Sequence, residues 1–540
     1  MRLTQRALTI AGVAVLTVAA AASPALAAEP PAEFGSDWDD PRTAVAPIEK
    51  PDTPSCEIQL VDYEFRDFTP FEGTYTPPAD CAGDWSKVVL RLEGAVAGRQ
   101  YDRLGALTIG EVPVFKTSTP EPSVDGIAWT VESDLTEYSA LLRSPQPTWM
   151  LIGNVVNDTY TGVLDVQVYL TFYTADRHHP APPAADTVTP LSNVHKEDGV
   201  TVGDVTLPRN SEKLIADVYA TGSGGGCEEF WYFTAPAEGY SCPNPEGPYR
   251  EVQVLVDGEL AGIAAPFPHV YTGGWSNPYL WYTLPAPRAF DVRPISYDLT
   301  PFLGLLNDGR THQVTVQVVG VQPGQSGWDT PVGLRSWQDE DSTVVRGRLI
   351  TSRATDLANT STHTADGDDH RVNTKGSHRL TTIGSLKTSH GTVVTTVDRR
   401  VANEGVHSWG AGENPDGVTA TWTDETSLTQ VGGGFPVLES SRKTFTMDGV
   451  IAVDSTDRLT TTLTIGDAEE FRSFSTEGLT ATNMSDVHTG EAGWNISAPR
   501  PERHAMGVSE HHYALSGTEG CYDRRIATRN GYVTADEYGC

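Results

Sequence analysis

The sequence predicts an all-β protein: two antiparallel sandwiches side by side, followed by a β-rich C-terminal region. Three observations support this class. Apolar and polar residues alternate over long stretches, β-branched residues are enriched in those stretches, and Gly, Pro, Asn and Asp interrupt them. Almost no segment shows the 3.6-residue apolar period of an amphipathic helix.

The alternating stretches give the expected strands in chain order. A period of two places successive side chains on opposite faces of a sheet. The Asp-Gly pair of "VDGE" predicts a tight hairpin, and "GTVVTTVDRRV" and "DRLTTTLTIG" extend the pattern to the C-terminal region. The clearest earlier stretches are "KVVLRLEGAV" at Lys87–Val96, "GVLDVQVYLTFY" at Gly162–Tyr173, "EVQVLVDGELAG" at Glu251–Gly262 and "HQVTVQVVGV" at His312–Val321.

The first 27 residues are predicted to be a secretion signal. Arg2 and Arg6 precede an apolar stretch over Ala7–Ala22, and "SPALA" ends in a small-residue cleavage site after Ala27. That stretch is too short for a membrane anchor, and no other segment is long and apolar enough to be one. We therefore expect a secreted, extracellular monomer without a membrane anchor.

The net charge limits the class of partner. The formal net charge is −33, and removal of Arg2 and Arg6 with the signal takes it from −33 to −35. A chain this acidic repels phosphate backbones and anionic lipid, so we expect no binding of nucleic acid. A neutral partner such as a glycan is compatible with the charge.

Composition predicts the division of the chain. A Pro/Ala-rich linker covers 176–189, and the Thr/Asp/His-rich segment 353–376 predicts a second junction. The expected blocks are 28–175, 190–348 and 350–540. A "DLT" phrase in each of the first two blocks, at Asp134–Thr136 and Asp298–Thr300, hints that these blocks are related. Two adjacent sandwiches would form a cleft in which a ligand could bind.

Six cysteines suit an oxidising compartment. Nearest-neighbour pairing predicts three structural disulfides, and closing the shortest loop, Cys227–Cys242, contributes roughly 3 kcal/mol in the chain-entropy model. The spacings do not fit a zinc site, and the adjacent histidine pairs do not fit a helical metal pair, so we expect no metal. The predicted pairs are Cys56 with Cys81, Cys227 with Cys242, and Cys521 with Cys540.

The stretch "GGGCEEFWYFTAPAEGYSC" at Gly224–Cys242 places two carboxylates among aromatic residues. Read as a strand, it puts Glu229 and Trp231 on one face and Glu228 on the other. Trp231 could then stack on a sugar beside Glu229. The alternative is an edge strand with a solvated pair of glutamates.

Two further segments are candidate sites. Asp102 lies between Arg99 and Arg103, which would hold its pKa low and suit it to act as a base on water. The alternative is a surface ion-pair cluster. The loop of residues 266–285 contains Trp275 and Trp281 and could form an aromatic binding surface, or a satellite cluster beneath a long loop.

The chain resembles the peptide-N-glycosidase A family over roughly Cys56 to Arg348. The phrases that carry the resemblance are "GRQYDRLGALTIG", "VFKTSTPEPS", "WTVESDLTEYSALL", "CEEFWY", "PYREVQVLVDGELAGIAAPFPHVYTGGWSNPYLW" and "SYDLTPFLG". The resemblance implies two jelly-roll sandwiches, with the last third similar to the family's β-rich extension. It also implies hydrolysis of the amide that joins an N-glycan to asparagine in N-linked glycopeptides or glycoproteins. No cofactor is implied.

The resemblance also implies roles for individual residues. By similarity to the W-D-R and C-A-E-W phrases of the peptide-N-glycosidase F enzymes, Asp102 would be the base and Glu229, rather than Glu228, the second carboxylate. Arg103 would supply positive charge near the carbonyl. The third carboxylate of those enzymes lies in a G-R-E-Y phrase, where this chain has Thr159, and Asp158 is the nearest substitute.

Two other functions fit the same residues. One is a glycan-binding sandwich without catalysis, and the other is a glycosidase that uses two carboxylates. The products distinguish them, because an amidase converts Asn to Asp, a glycosidase leaves a sugar on Asn, and a binding protein changes neither.

Overall fold

The computed structural model describes residues 39–540 except 123–124, 225, 323, 326, 435, 500–501 and 519. The predicted secretion signal lies outside the described residues. The all-β prediction is confirmed, because antiparallel sheets account for the regular structure in all three parts of the chain. The jelly-roll assignment stays a prediction.

The first block pairs two four-stranded sheets, ordered β1-β8-β3-β6 and β2-β7-β4-β5. The predicted alternation is clear in β8, whose Leu164, Val166, Val168, Leu170 and Phe172 are all fully buried. The strands are β1 Ser55–Phe65, β2 Phe71–Tyr75, β3 Trp85–Val96, β4 Leu104–Ile109, β5 Val112–Ser118, β6 Ile127–Asp134, β7 Gln146–Ile152 and β8 Leu164–Thr174. Short 3-10 helices cover Ala79–Cys81, Thr136–Tyr138 and Leu141–Arg143.

The second block follows an irregular connection and contains sheets ordered β10-β11-β17-β14-β15, β16-β12-β19-β9 and β13-β18. Its helices are α1 Leu303–Leu306 and 3-10 turns at Trp231–Phe233, Gly274–Ser276, Pro278–Leu280 and Thr300–Phe302. Its strands are β9 Thr187–Pro190, β10 Ser192–Glu197, β11 Val200–Val205, β12 Ser211–Val218, β13 Thr221–Gly222, β14 Glu251–Val256, β15 Glu259–Ala264, β16 Ile295–Asp298, β17 His312–Val319, β18 Trp328–Asp329 and β19 Val332–Gln338.

The repeated "DLT" phrase forms the same corner in both blocks. Asp134 Oδ1 accepts a hydrogen bond from the backbone N–H of Thr136 at 2.9 Å, and Asp298 Oδ1 does the same for Thr300. Each threonine hydroxyl then accepts a backbone N–H from the neighbouring strand, Val88 of β3 or Leu214 of β12. The phrase therefore ends a strand and anchors the following 3-10 turn to the sheet.

The C-terminal part is one sheet of long antiparallel strands in the order β20-β22-β23-β24-β25-β26-β27-β28-β29-β30, with β21 paired to β22. The segment 353–376, predicted as a junction, is strand over most of its length. The division of the chain into these blocks stays a prediction. The strands are β20 Arg346–Ala354, β21 Ala358–Asp366, β22 Asp369–Thr388, β23 Gly391–Trp409, β24 Asp416–Val431, β25 Val437–Val453, β26 Arg458–Ser475, β27 Gly478–Asn495, β28 Met506–Gly517, β29 Gly520–Arg529 and β30 Tyr532–Tyr538.

This sheet shares a hydrophobic core with the second block. Trp422 of β24 and Phe445 of β25 belong to the same buried cluster as Val252 and Val254 of β14 and Trp231. The ring centroids of Trp422 and Trp231 lie 5.3 Å apart at 72°. Part of one face of the long sheet is therefore packed against the second block.

The shared core predicts the outcome of a truncation. A chain ending at Leu349 would expose the cluster that Trp422 and Phe445 cover, since exposed apolar area costs roughly 25 cal/mol per Å². We expect this chain to aggregate or to bind a hydrophobic dye, as read by light scattering and dye fluorescence. A soluble truncated chain that unfolds cooperatively in urea would show that the first two blocks fold without the long sheet.

Candidate functional site

Asp102 lies in the loop between β3 and β4, in the first block. The segment after β5 fixes this loop, because the backbone N–H of Arg103 donates to Thr119 Oγ1 and the backbone N–H of Thr119 donates to Arg103 O, both at 2.9 Å. The Arg103 guanidinium donates from Nη2 to Gln100 Oε1 at 2.6 Å. The buried Gln100 amide donates in turn to the carbonyls of Val155 and Gly162. The loop is thus rigidly held on both sides.

The second block meets Asp102 through a loop that follows β15. The backbone N–H of Gly273 donates to Asp102 Oδ2 at 2.9 Å, and Thr272 Oγ1 donates to Thr119 O at 2.9 Å. A β-carbon on residue 273 would lie 2.5 Å from Asp102 Oδ1, which is closer than real contacts allow. Glycine is therefore required here by close approach, while its φ of −91° is accessible to any residue.

Burial and charge act on Asp102 in opposite directions. Burial raises the pKa of the Asp102 carboxyl above its usual value, while the Gly273 N–H and the Arg103 charge lower it. Burial also lowers the pKa of Arg103, and nearby Asp102 opposes that shift. The sequence predicted a carboxyl whose pKa the two arginines hold low, and that prediction was wrong because it omitted burial.

Tyr271 connects Asp102 electrostatically with Glu229. Burial raises the pKa of the Tyr271 hydroxyl, and the charges of Glu229 and Asp102 both raise it further. The negative charges of Glu229, a half-buried residue of the second block, and of Asp102, from the first, therefore both act on the Tyr271 hydroxyl. Neither Tyr271 nor Gly273 was identified from the sequence, because only the meeting of the two blocks gives them a place in the site.

The stretch that contains Glu228 and Glu229 is not a strand. Turns lead into the 3-10 helix over Trp231–Phe233, so the predicted alternation of faces was wrong. Glu228 is buried and accepts two hydrogen bonds from Arg250, at 2.7 and 2.9 Å, and one from Trp328 Nε1 at 2.6 Å. With both oxygens engaged, Glu228 has a structural role in this arrangement.

The predicted aromatic platforms are buried. Trp231, Trp275 and Trp281 are each 2% exposed, so they form no open surface for a sugar. Trp275 packs on Phe233 with ring centroids 4.9 Å apart, and the Trp281 indole donates to Gly274 O at 3.1 Å. The interpretation of an exposed aromatic surface was wrong because strands far along the chain cover these rings.

A different aromatic pair lines the edge of the site. Tyr101 and Tyr160 are both half-buried, with ring centroids 5.3 Å apart, and the Arg99 guanidinium lies over the Tyr160 ring at 5.5 Å. Asp158 lies in the same loop as Tyr160, but it is exposed to solvent. The structure therefore places Tyr160 beside the Asp102 loop and leaves Asp158 on the outer surface.

All three predicted disulfides are present. The bridge between Cys227 and Cys242 closes the loop that carries Glu228, Glu229 and Trp231. Over the described residues, no group of three or more His, Cys, Asp and Glu side chains is arranged to hold a metal ion. In that same part of the chain, no helix has the length and apolarity needed to cross a membrane.

A family match covers most of the two blocks that contribute residues to this site. Residues 44–353 match the family described as peptide N-acetyl-beta-D-glucosaminyl asparaginase amidase A. The peptide-N4-(N-acetyl-beta-glucosaminyl)asparagine amidase A of Prunus dulcis is 31% identical over 385 residues, which are 65% of this chain and 66% of that protein. The alignment thus spans just under two thirds of the relative's length.

Solved structures give weaker similarity. PNGase F, a glycosylasparaginase from Flavobacterium meningosepticum, aligns with 53% of this chain and 96% of its own, at a TM-score of 0.35 and 13% identity. The exo-chitosanase CsxA of Amycolatopsis orientalis aligns with 49% of this chain and 27% of its own, at a TM-score of 0.12 and 10% identity. Neither likeness is close enough to decide the fold or the chemistry.

The buried ion pair gives a prediction about stability. Glu228→Gln keeps the side-chain shape but leaves the Arg250 charge buried without its partner, which costs about 3–5 kcal/mol. We expect a fall of that order in the free energy of unfolding, measured by urea denaturation. Glu238→Gln, at an exposed position in the same disulfide loop, is the control and should unfold as the wild type does. Equal midpoints for the two variants would contradict the structural role of Glu228.

Proposed function

The chain belongs to the peptide N-acetyl-beta-D-glucosaminyl asparaginase amidase A family, and from this we propose that it hydrolyses the amide bond between an N-linked glycan and asparagine. The products are a glycan released as a glycosylamine and a peptide in which Asp replaces Asn. The substrates are N-linked glycopeptides or glycoproteins met outside the cell. The observation that carries the proposal is the family match over residues 44–353, a range in which Gly273 of the second block donates a hydrogen bond to Asp102 of the first.

Asp102 is the proposed general base. An amide carbonyl reacts slowly with neutral water, so a carboxylate that removes a proton from the water lowers the barrier. Burial raises the pKa of Asp102, which makes its carboxylate a stronger base than an ordinary aspartate. The proton that Asp102 accepts can pass to the departing glycosylamine nitrogen, so the carboxylate is restored at the end of the cycle.

Glu229 and Arg103 are proposed to act on the other parts of the substrate. Glu229 would hold the first sugar and polarise the amide from the side of the second block. The Arg103 charge would stabilise the negative charge that develops on the carbonyl oxygen as water attacks. Because Trp231 is buried, we assign the sugar-stacking surface to the half-buried Tyr101 and Tyr160.

Mass spectrometry of a treated glycopeptide tests the proposed function directly. Conversion of the glycosylated Asn to Asp with loss of the whole glycan supports an amidase. A sugar left on Asn would identify a glycosidase, and an unchanged glycopeptide would identify a glycan-binding protein.

The two carboxylates should both be required. Asp102→Asn preserves shape and removes basicity, so we expect kcat to fall about 10²–10⁴-fold with a smaller change in KM. Glu229→Gln should also lower kcat/KM severely. Asp62→Asn, at an exposed position of β1, is the control and should match the wild type. Wild-type turnover by Asp102→Asn in the same assay would refute the mechanism.

The charge of Arg103 should be visible in the pH profile. Asp102 acts as a base only when deprotonated, so activity is lost as pH falls through its raised pKa. Arg103 opposes the effect of burial, so Arg103→Gln should raise that pKa further and move the acid limb of kcat/KM to higher pH by about one unit. The limb is measured on one glycopeptide in both proteins. An unmoved limb would mean that Arg103 does not act on the ionisation that controls turnover.

A further inference from the structure

Glu121 is the acidic residue that the structure brings to the same side of Gly273 as Asp102. A β-carbon on residue 273 would lie 2.5 Å from Asp102 Oδ1 and 3.0 Å from Glu121 Oε1. The two carboxylate oxygens are therefore separated by no more than the sum of these distances. Both oxygens lie on the side of Gly273 where any other residue would carry its β-carbon.

The backbone holds Glu121 in this place. Thr119, two residues earlier, is buried and is hydrogen-bonded to Arg103 in the first block and to Thr272 in the second. The segment from Thr119 to Glu121 thus runs alongside the Asp102 loop at the contact between the two blocks. The position of Glu121 is a consequence of the same contacts that fix Asp102.

The charge of Glu121 acts on the neighbours of Asp102. Burial lowers the pKa of Arg103, and Glu121 is one of the groups that oppose this shift, together with Asp102. Burial raises the pKa of Tyr101, and Glu121 raises it further. Arg103 therefore lies in the field of two carboxylates. Two carboxylates so close favour retention of a proton by one of them.

We propose that Glu121 is the third carboxylate of the site, a positioning residue that makes Asp102 a stronger base. This inference rests on the proposed amidase function. The negative charge of Glu121 works against ionisation of Asp102, while Arg103 and the Gly273 N–H favour it. Asp158, the candidate from the sequence, lies on the exposed outer surface and is not needed for this role.

The test is the pH profile of Glu121→Gln on one glycopeptide. Removing the negative charge should move the acid limb of kcat/KM to lower pH by about one unit, the reverse of the shift expected for Arg103→Gln. A weaker base should also lower kcat at the plateau, by up to about tenfold, because the rate of proton removal follows the strength of the base. Glu111→Gln is the control, because Glu111 is exposed and lies just before the first residue of β5. Its acid limb of kcat/KM should match that of the wild type.

A charge-preserving variant separates this role from a structural one. Glu121→Asp keeps the negative charge, so its limb should stay near that of the wild type even if its melting temperature falls. A limb that moves equally in Glu121→Asp and Glu121→Gln would overturn the proposal, as would an unmoved limb in Glu121→Gln. A limb that moves only in Asp158→Asn would give the role to Asp158.

Failure of the proposed function is a separate result. A wild-type protein that leaves the glycopeptide unchanged refutes the amidase and says nothing about Glu121. In that case the carboxyl carbon of Asp102 is titrated by ¹³C NMR, with its signal identified by its loss in Asp102→Asn. A lower Asp102 pKa in Glu121→Gln than in the wild type supports the inference, and equal values overturn it.

Discussion

The hydrogen bond from the Gly273 N–H to Asp102 is the contact on which the site depends. It joins the first block to the second at 2.9 Å, and it supplies the only backbone donor from the second block to that carboxylate over the described residues. A neighbouring hydrogen bond from the Thr272 hydroxyl to Thr119 O fixes the Gly273 loop to the segment after β5. A β-carbon at residue 273 would collide with Asp102 Oδ1. The packing of the second block against the first therefore requires glycine at this position.

The long C-terminal sheet acts on this contact through buried aromatic residues. Trp275 follows Gly273 by two residues, and its ring packs against the bare face of Gly449 in β25, where a β-carbon would lie 2.5 Å away. Trp281 lies against His488 of β27, with ring centroids 4.9 Å apart. The aromatic loop is thus an internal layer between the site and the sheet. A part of the chain without proposed catalytic residues still helps to position Gly273.

Sequence patterns correctly predicted the features that depend on residues close together in the chain. The alternation in β8 gave its buried face, and short spacings gave the three disulfides. They failed where the environment of a residue is set by residues far away in the sequence. Glu228 is held by Trp328, a hundred residues later, and Trp231 is covered by Trp422. The resemblance pointed to Asp102 and Glu229, but Tyr271 joins the site only through packing between the two blocks, which no local pattern records. Glu121 lies beside Asp102 because the segment after β5 is hydrogen-bonded to the Asp102 loop within the first block.

The ionisation of Asp102 sets a conflict between function and stability. Its folded pKa is raised above the unfolded value, so the folded protein binds more protons than the unfolded chain between those two values. The free energy of unfolding therefore falls as pH rises through that window. Asp102 is fully ionised, as a base must be, only at a pH above its folded pKa. At that pH the loss in the free energy of unfolding has reached its full size. The Gly273 N–H and Arg103 reduce the cost, and Glu121, in the role proposed for it, increases it. The strength of the base is then the balance of these groups against burial.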